Sequence, residues 1–519
     1  MSTSAAAPIA VPGLRRNMVT ICAMTATIMQ ALDTTIANVA LPYMQGTLSA
    51  SQDQINWVLT SYIVAAAIMT APVGWIANRF GRKRIFIVCS GGFTFASVLC
   101  GLAQNIDQMV LFRLLQGVFG AALVPLSQAV MLDSYALHER AKAMSIWGMG
   151  VMMGPIMGPS LGAWLTETYS WHWVFFVNLP FGIFTVLGLL VFMDETRKDI
   201  DLRFDWFGFT ALAIAIGSLQ LALDRGEQLG WLESGEIIAE FTVSAIGFYY
   251  FFAHSLTTPR PFIQFALFKD RNFVTGCIFM AVMGLVLYST MALSSPYLQN
   301  VIGYPIITAG VLLASRGCGT FVAMMLVGRM MRTIEARTLI ITGLGLTALS
   351  LFYMTGWTDQ TGVHEIVTLS IIQGFGFGLV FVPLSTVSFL TLPNQLRTDG
   401  TSMLTLMRNV ASSIGISLVI AQLTEGARRE HAILAEHVNP FNQAMQMPNV
   451  SGMINMGTDA GRALADVMID VQAQIIAFSL DYQMVMVFIL CSIPLAIMIG
   501  STRASLRKQA VAPEHAVME

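Results

Sequence analysis

The clearest shortage in this chain of 519 residues is charge: Asp, Glu, Lys and Arg make up 11% of it, whereas 55% is hydrophobic. Soluble domains carry roughly a quarter charged residues, so a series of soluble domains is excluded. Apolar runs of about 20 residues recur instead, each long enough to cross a hydrocarbon core of about 30 Å as a helix. They are far longer than the strands of a membrane barrel. The composition therefore predicts an all-α polytopic membrane protein.

The sequence also lacks the groups of covalent or metal chemistry in any recognisable pattern. Its six cysteines all fall inside apolar runs, without the spacing of a disulfide framework or a metal site, so we interpret them as small core residues. The seven histidines are scattered. No Walker loop follows a strand, so ATP is not the evident energy source. We predict a protein that is not an enzyme, holds no metal or cofactor and binds no nucleic acid.

Hydropathy predicts fourteen transmembrane helices, and the basic residues orient them. If the N-terminus is cytoplasmic, the inside segments hold 21 of the 28 Lys and Arg residues and the outside loops hold four, which agrees with the positive-inside rule. Both termini are then cytoplasmic. No clear cleavage site follows the first apolar run, so we interpret it as a retained span. The predicted spans are 18–42, 55–77, 84–104, 108–132, 142–165, 173–193, 206–223, 236–254, 273–298, 306–330, 338–357, 365–391, 400–422 and 482–502.

An internal repeat organises these spans. LLQGVFGAALVPLS (114–127) resembles IIQGFGFGLVFVPLS (371–385), and their Gln-Gly pairs lie 257 positions apart. GWIANRFGRKR (74–84) and GRMMRTIEAR (328–337) match at nearly the same offset. Parallel halves around a central cavity are a recurring transporter layout. The predicted divisions are an N-terminal six-helix half (1–195), two inserted central helices (196–260) and a C-terminal six-helix half (261–519).

One connection, at about 423–481, is much longer than the others and is predicted to be periplasmic. It contains a helix-like stretch, DAGRALADVMIDVQAQIIAF (459–478). Long loops in compact proteins are usually functional or disordered. Two interpretations therefore stay open, a poorly structured surface excursion and a docking or lid element.

Asp33 is the only acidic residue that lies more than about two turns inside a predicted span. A charge at mid-span costs at least about 2.5–3.5 kcal/mol on insertion scales, so such a group usually faces a cavity or a partner. Gln30 and the small Ala26 and Ala37 share its helical face, and Asn38 lies in a polar lane beside it. We predict a carboxyl group that exchanges a proton. The alternative is a carboxylate locked to a neighbouring helix for folding.

The other acids in or near the spans lie close to predicted span ends. There a carboxylate is readily solvated or caps a helix, so we expect those roles for them. These acids are Asp133, Glu167, Asp224, Glu365 and Asp481, with Glu240 about one turn inside its span.

Away from the span ends, three arginines fall within predicted spans. Arg113 lies one turn before Gln116 and either serves proton transfer or extends to the nearby outer surface. Arg316 and Arg408 are deeper, and each needs a carboxylate, carbonyl or water partner because guanidinium keeps its proton. We predict that these two arginines line the substrate cavity together with the polar residues Gln30, Asn38, Gln116 and Gln373.

The fifth predicted span has a glycine at every fourth position. Glycines at this spacing make a smooth stripe that allows close helix contact, and two prolines remove backbone donors and favour a bend. The stripe is either a structural packing surface or one on which the two halves rock or seal. Its residues are Gly150, Gly154, Pro155, Gly158, Pro159 and Gly162.

The loop GWIANRFGRKR combines turn glycines with four basic residues at the predicted cytoplasmic face. The charges either only fix the topology or pair with helix ends and hold one conformation. The candidate residues are Gly74, Asn78, Arg79, Gly81 and Arg82.

Together these motifs resemble the major facilitator superfamily, in its fourteen-span drug:proton antiporter branch. LDTTIANVALP (32–42) is similar to the motif of span 1, and LFRLLQGVFGAA (111–122) is similar to that of span 4. GPIMGPSLGA (154–163) resembles the antiporter motif, with alanine in place of its last glycine. GWIANRFGRKR resembles the loop motif, with Asn78 where aspartate is usual. Segments that resemble EmrB-type exporters are 170–182, 223–231, 312–330 and 438–442.

The resemblance implies an inner-membrane pump of a Gram-negative cell that exports lipophilic, often cationic, drugs and takes up protons. It assigns proton coupling to Asp33 and Arg113 and the antiporter motif to the glycine stripe. It also implies an EmrA-type periplasmic adaptor and a TolC-like outer-membrane channel as partners, besides membrane lipid and lipophilic drugs. Asn78 and Arg332, each at a position where an acid is expected, put the usual charge latches in question.

The main alternative is a major facilitator importer or exporter of a specific metabolite or nutrient. A cavity rich in polar recognition groups would favour it, and this sequence has few. A transport-inactive scaffold or sensor and a membrane enzyme are disfavoured, because Asp33, Arg113 and the glycine stripe are present and no catalytic set is.

Overall fold

A computed structural model describes residues 13–136, 139–196, 198, 203–258, 261–438, 442, 447 and 457–498. Over these residues the chain is helical and contains no strand. The first helices are α1 (Gly13–Thr47), α2 (Gln52–Thr70), α3 (Val73–Phe80), α4 (Arg82–Gly101), α5 (Ile106–Gly120), α6 (Leu123–Ser134), α7 (Arg140–Thr168), α8 (Trp173–Phe176) and α9 (Asn178–Phe192). The later helices are α10 (Trp206–Leu229), α11 (Gly235–Thr257), α12 (Arg271–Pro296), α13 (Ile306–Met330), α14 (Ala336–Met354), α15 (Val363–Val387), α16 (Arg397–His437) and α17 (Asp459–Ser492).

The predicted all-α class is confirmed, whereas the predicted count of fourteen spans is not. Within the described residues, twelve helices are long and apolar enough to cross a membrane, or thirteen if α2 and α3, bent by 56° at their junction, form one span. α7 is not among these twelve or thirteen candidate spans, although its 29 residues extend about 43 Å.

Local sequence signals explain where several of these helices begin and end. Ser51 and Gln54 form a capping box at the start of α2, in which each side chain accepts a hydrogen bond from the other residue's backbone N–H. Asn105 caps α5 in a similar way. Gly81, with φ of +97°, makes the sharp turn between α3 and α4, because a residue with a side chain is strained there.

Helix contacts determine which elements surround the candidate site. α1 packs against α7 and α9, α2 packs against α5, and α4 packs against both α5 and α9. Later in the chain, α12 packs against α16, α13 and α14 pack against α15, and α17 packs against α16 and α14. α7 contacts α13, and α16 contacts α3 and α6, so these pairs join the early helices to the late ones.

In its described residues, the connection predicted at 423–481 is largely helical. α16 continues to His437, and α17 begins at Asp459, which confirms that 459–478 is helical. The 41 residues of α16 extend about 60 Å, well beyond a hydrocarbon core of about 30 Å. His431 of α16 lies 3.2 Å from Asp466 of α17, so the two helices remain in contact in this region. Of the segment 438–442, residues 439–441 lie outside the described part of the chain.

Candidate functional site

Asp33 lies inside α1 and is completely buried. Its Oδ2 accepts a hydrogen bond from Arg113 Nη1 at 2.7 Å. Its Oδ1 accepts from Gln116 Nε2 at 2.8 Å and from Asn178 Nδ2 at 3.2 Å. All three partners donate, so both oxygens act as acceptors, as in an ionised carboxylate. Three helices, α1, α5 and α9, therefore meet at one buried ion pair with two amide donors.

Arg113 is held from several sides and does not extend to the surface. Its side chain is 1% exposed, and Nε donates to the backbone carbonyl of Val58 on α2 at 3.0 Å. Nη1 also donates to Gln116 Oε1 at 2.8 Å, and the guanidinium lies 4.4 Å from the ring centroid of Tyr62. The structure thus pairs Arg113 with Asp33 and identifies the partner that the sequence left open.

Three of the polar residues predicted to line the substrate cavity belong to α1 and α5: Gln30, Asn38 and Gln116. None of them lines the central cavity described below. Gln116 belongs to the buried ion-pair network, and Gln30 Nε2 donates to Tyr62 Oη at 3.3 Å at the edge of that network. Asn38 is exposed on α1. Asn178 was missed by the sequence analysis, although an asparagine inside the apolar run VNLPFG is a signal of the same kind as Asp33.

A cavity lies between α7, α12, α13, α15 and α16, where early and late helices face each other. It is apolar and rich in methionine, and among its lining residues Arg408 is the one with a full charge. The guanidinium has only two long contacts of 3.3 and 3.4 Å, to Asn409 Oδ1. The lining residues are Val151, Met152, Met283, Leu287, Tyr288, Thr320, Met324, Phe377, Phe381 and Arg408.

Arg316 and Gln373 were also predicted to line a cavity, but neither is among these lining residues. Arg316 is buried and donates to Thr290 Oγ1 at 3.3 Å and to Ser294 Oγ at 3.0 Å. Gln373 is completely buried, and both polar atoms of its amide lack a hydrogen-bond partner among the described residues.

Asp481 departs most from expectation. It was placed at the end of a span, in a solvated or capping role, but it lies inside α17 and is 0% exposed. The reason is that α17 begins at Asp459, far ahead of the predicted start of that span. Both carboxyl oxygens lack a hydrogen-bond partner within the described residues.

The glycine stripe of α7 packs against the segment of α1 that contains Asp33. A Cβ at Gly154 would meet the backbone carbonyl of Ala31, and one at Gly162 would lie 2.9 Å from Ile36. A Cβ at Gly158 would meet the side chain of Thr35, whose hydroxyl donates to the Gly154 carbonyl at 3.0 Å. Because these glycines have no side chains, α7 and α1 can pack at a short distance from each other.

The opposite side of α7 faces α13. Pro159 Cβ lies 3.7 Å from the position that a Cβ on Gly310 would occupy. The side chain of Ile156 occupies the space that a Cβ on Gly317 would need. The side chain of Pro155 lies outside what the structure describes. α7 therefore contacts the helix of Asp33 on one side and a helix of the later part of the chain on the other.

We expect Gly154→Ala to destabilise the protein much more than Gly150→Ala. At Gly154 the added methyl group meets the backbone of α1, which cannot rotate aside, whereas at Gly150 it meets the flexible end of Met24. Overpacking typically costs about 1–3 kcal/mol, and the gain in helix propensity is the same for both variants. Thermal melting of the purified proteins in detergent measures the difference. Equal melting temperatures would show that close α1–α7 contact is not required.

At the end of the bundle where α1 begins, charged groups join early and late helices. Asp133 of α6 accepts from Arg82 of α4 and, at 2.8 Å, from Arg397 of α16. Asn78 of α3 lies 3.5 Å from both carboxyl oxygens of Asp399 on α16. We call these five residues the latch. Asp133, for which a solvated or capping role was expected, thus bridges two arginines from different parts of the chain.

The loop motif shapes the latch. Gly74 leaves the space that Asp399 occupies, because a Cβ there would meet the Asp399 carboxylate. A Cβ at Gly81 would likewise meet the Glu195 carboxylate. Arg79 is half-buried on α3. Position 78 has no acidic side chain, but Asp399 of α16 places a carboxylate next to the Asn78 amide.

Long apolar helices, a buried ion pair and a cavity between early and late helices define a multi-pass membrane protein with the architecture of a transporter. Residues 23–416 match the model of the Major Facilitator Superfamily, and the chain belongs to that superfamily.

Similar proteins agree with this assignment. The chain is 35% identical over 445 residues to multidrug export protein EmrB of Escherichia coli K12, covering 85% of this chain and 86% of that protein. It is 33% identical over 429 residues to fatty acid resistance protein FarB of Neisseria gonorrhoeae, covering 82% and 84%. The resemblance to EmrB-type exporters is thereby confirmed.

A solved structure shows the same fold at low sequence identity. The proton:xylose symporter XylE superimposes with a TM-score of 0.58 at 14% identity, over 93% of this chain and 96% of that chain. The predicted major facilitator fold is therefore confirmed.

Proposed function

We propose that the chain is a proton-coupled efflux antiporter that exports hydrophobic and amphipathic toxic compounds by alternating access. The observation that supports this best is the buried Asp33–Arg113 pair, since protonation of Asp33 would remove the negative charge to which Arg113, Gln116 and Asn178 donate. The names of the relatives, a multidrug export protein and a fatty acid resistance protein, agree with export of such compounds.

In this proposal the proton acts on the contact of α1 with α5 and α9. When a proton binds Asp33, the carboxyl group loses its charge, so Arg113 keeps only a neutral acceptor and the ion pair is lost. The glycine stripe of α7, which packs on the same turns of α1, passes the change to α13. Proton uptake from the outer side would then accompany release of the exported compound, and proton loss to the cytoplasm would accompany its recapture.

We further propose that residues 1–195 and 261–519 form the two halves that rock against each other, with 196–260 inserted between them. In the orientation that the basic residues favour, both termini are cytoplasmic and the chain lies in the inner membrane. The latch is then cytoplasmic, so the conformation described here is closed on that side.

The cavity suggests which compounds the pump prefers. In this conformation the cavity volume is only about 20 Å³, enough for a water molecule, so a substrate enters only after the helices rearrange. Its apolar, methionine-rich lining would then suit varied lipophilic bodies, and Arg408, which has no acidic partner among the described residues, places a positive charge among them. A cation in a site of low dielectric attracts an anionic head group and repels a cationic one. We therefore propose a preference for anionic amphiphiles such as long-chain carboxylates, rather than for cationic drugs.

Transport into inverted membrane vesicles tests the proposed function. With an acidic interior, vesicles containing the wild-type chain are expected to accumulate a radiolabelled fatty-acid anion, and collapse of the gradient by an ionophore should abolish the accumulation. Accumulation that does not depend on the gradient would contradict proton coupling.

The same vesicles test the preference for anions. Arg408→Gln should raise the KM for the fatty-acid anion about tenfold, equivalent to about 1.4 kcal/mol, and leave a neutral lipophile unaffected. Arg408→Lys keeps the charge and serves as the matched control. Equal losses for the anion and the neutral compound would show that Arg408 has only a structural role.

We also propose that the chain works with an EmrA-type adaptor and a TolC-like channel as a tripartite pump. The extensions of α16 and α17, which reach beyond the membrane and contact each other through His431, Asp466 and Asp470, offer the adaptor a rigid surface.

A further inference from the structure

The C-terminal part of the chain repeats the positions of the Asp33 network with different residues. Thr290 follows Asp33 by 257 positions, the offset that also relates Gln116 to Gln373. The basic group there comes from α13 instead of α15, and Arg316 donates to Thr290 Oγ1 at 3.3 Å. A threonine thus stands at the position of the acid, and the arginine beside it has no carboxylate partner among the described residues.

An acid is nevertheless present in the same region, on α17. Asp481 immediately precedes Tyr482, whose hydroxyl lies 3.5 Å from Ser294 Oγ. Ser294 Oγ in turn accepts from Arg316 Nη2 at 3.0 Å. The hydroxyls of Ser294 and Tyr482 therefore connect the arginine to the helical turn that holds the acid.

The polar groups of this region are buried but lack hydrogen bonds of the kind that Asp33, Arg113 and Gln116 make in the N-terminal half. Asp481 and Gln373 are both 0% exposed, and all four of their polar side-chain atoms lack a partner within the described residues. Arg316 Nε is unpartnered as well. A buried polar group without a hydrogen bond is costly, and a buried charge without one is much more so. The Asp481 carboxyl group therefore fits this conformation only in its neutral form.

No other charged group of the described chain neutralises Asp481. The elements packed against α17 are α12, α14, α16, the turn that follows α12 and the turn Pro494–Met498, which has no ionisable side chain. Tyr297 in that turn donates to the Thr358 carbonyl, and Tyr288 of α12 lines the central cavity. On α14 Tyr353 is exposed, on α16 Glu425 and Arg428 are exposed, and His431 pairs with Asp466 and Asp470.

We propose that Asp481 is a second proton-binding carboxyl group, in the C-terminal half, which is protonated in this conformation and releases its proton once a rearrangement admits water to it. The O–H bond of the carboxyl group breaks heterolytically, and the proton passes to water that enters when the half opens. Arg316 keeps its own proton, so the half loses one positive charge. This inference rests on the proposed antiport, to which it adds a second proton in each cycle.

The two acids are then in opposite states in one structure. Asp33 has three donors and is ionised, whereas Asp481 has none and is neutral. A rearrangement that exposes one half to water at a time would let the two carboxyl groups bind and release protons at different steps.

The number of protons per exported molecule tests the inference. The full-length chain is reconstituted in proteoliposomes with the membrane potential held at zero, and the steady accumulation of a neutral lipophilic substrate is measured at a gradient of about one pH unit. Two coupled protons give about a hundredfold accumulation and one gives about tenfold, since each tenfold ratio corresponds to about 1.4 kcal/mol. Wild type should reach about a hundredfold and Asp481→Asn about tenfold.

Ser479→Ala is the matched control, because Ser479 lies on the same helix and its hydroxyl donates only to the Thr355 carbonyl. It should retain the wild-type ratio. If Asp481→Asn also retains it, the second proton site is overturned while the antiport stands. If wild type accumulates nothing in response to the gradient, the proposed function itself is wrong.

Infrared spectroscopy gives a second measurement that does not depend on the folding of Asp481→Asn. With isotope-labelled aspartate, the protein should show the carbonyl band of a protonated carboxyl group in an apolar environment at neutral pH. The band should persist in Asp33→Asn and in Asp399→Asn, because Asp399 is another aspartate that has no ion pair among the described residues. Its absence from the wild-type protein would overturn the inference.

Discussion

Asp33→Asn is expected to reduce the rate of gradient-driven export by at least about a hundredfold, while exchange of substrate across the membrane continues. The proton at Asp481 does not compensate, because without protonation of Asp33 the contact of α1 with α5 and α9 no longer responds to the gradient. Asparagine has nearly the shape of aspartate and still offers Arg113 and Gln116 an acceptor, but it has no proton to release. The variant leaves the Arg113 charge buried without its carboxylate, and loss of one member of a buried pair costs about 3–5 kcal/mol. Vesicle uptake with a gradient, compared with counterflow without one, measures the two activities separately.

Two further variants separate coupling from stability. Arg113→Gln combined with Asp33→Asn removes both charges, so it should recover much of the thermal stability lost in the single variant without restoring gradient-driven export. Asn178→Ala removes one neutral donor from Asp33 and keeps the ion pair, so it should remain coupled. Gradient-driven export by Asp33→Asn at the wild-type rate would show that this carboxyl group does not couple the proton.

The acid of the N-terminal half could be located from sequence, but its partner could not. A carboxylate in the middle of an apolar run is conspicuous because lipid excludes charge. The approach of α5 and α9 to α1, which brings Arg113, Gln116 and Asn178 onto Asp33, depends on packing between helices far apart in the chain. Hydropathy along one helix contains no information about that packing.

The acid of the C-terminal half was misplaced for a related reason. α17 begins with a part that carries Arg462, Asp466 and Asp470, so its average hydropathy rises only near residue 482. The sequence therefore predicts a connection with a helical stretch (459–478) and a separate span from residue 482, whereas the two belong to one helix, and Asp481 falls at the predicted boundary. The loop motif has Asn78 where an acid is expected, so the sequence puts the charge latch in question. The acid that faces Asn78 is Asp399, more than 300 positions later, and the motif itself contains no information about it.

Asp133→Asn is expected to shift the conformational equilibrium about 5- to 30-fold toward a form in which the latch is open. Arg82 and Arg397 are 7% and 6% exposed, and both pair with this one carboxylate, which is itself partly exposed. Allowing for solvent screening, we assign about 1–2 kcal/mol to the two contacts together, and each 1.4 kcal/mol is a factor of ten in the equilibrium. Because Arg397 belongs to α16 and Arg82 to α4, the loss releases a contact between early and late helices.

Distances between spin labels at the latch end measure this shift. Labels on cysteines introduced at the exposed positions Phe80 and Arg332, in a background without the exposed Cys318 and Cys491, should give a longer distance in Asp133→Asn than in the otherwise wild-type chain. Asp194→Asn is the control, because Asp194 pairs with Arg15 at the same end but both residues belong to the early part of the chain. If the two variants give the same distances, the contacts of Asp133 do not hold the bundle closed, and Asn78 with Asp399 would have to do so alone. That outcome is not expected, since an amide 3.5 Å from a carboxylate is a far weaker contact than two charge-assisted hydrogen bonds.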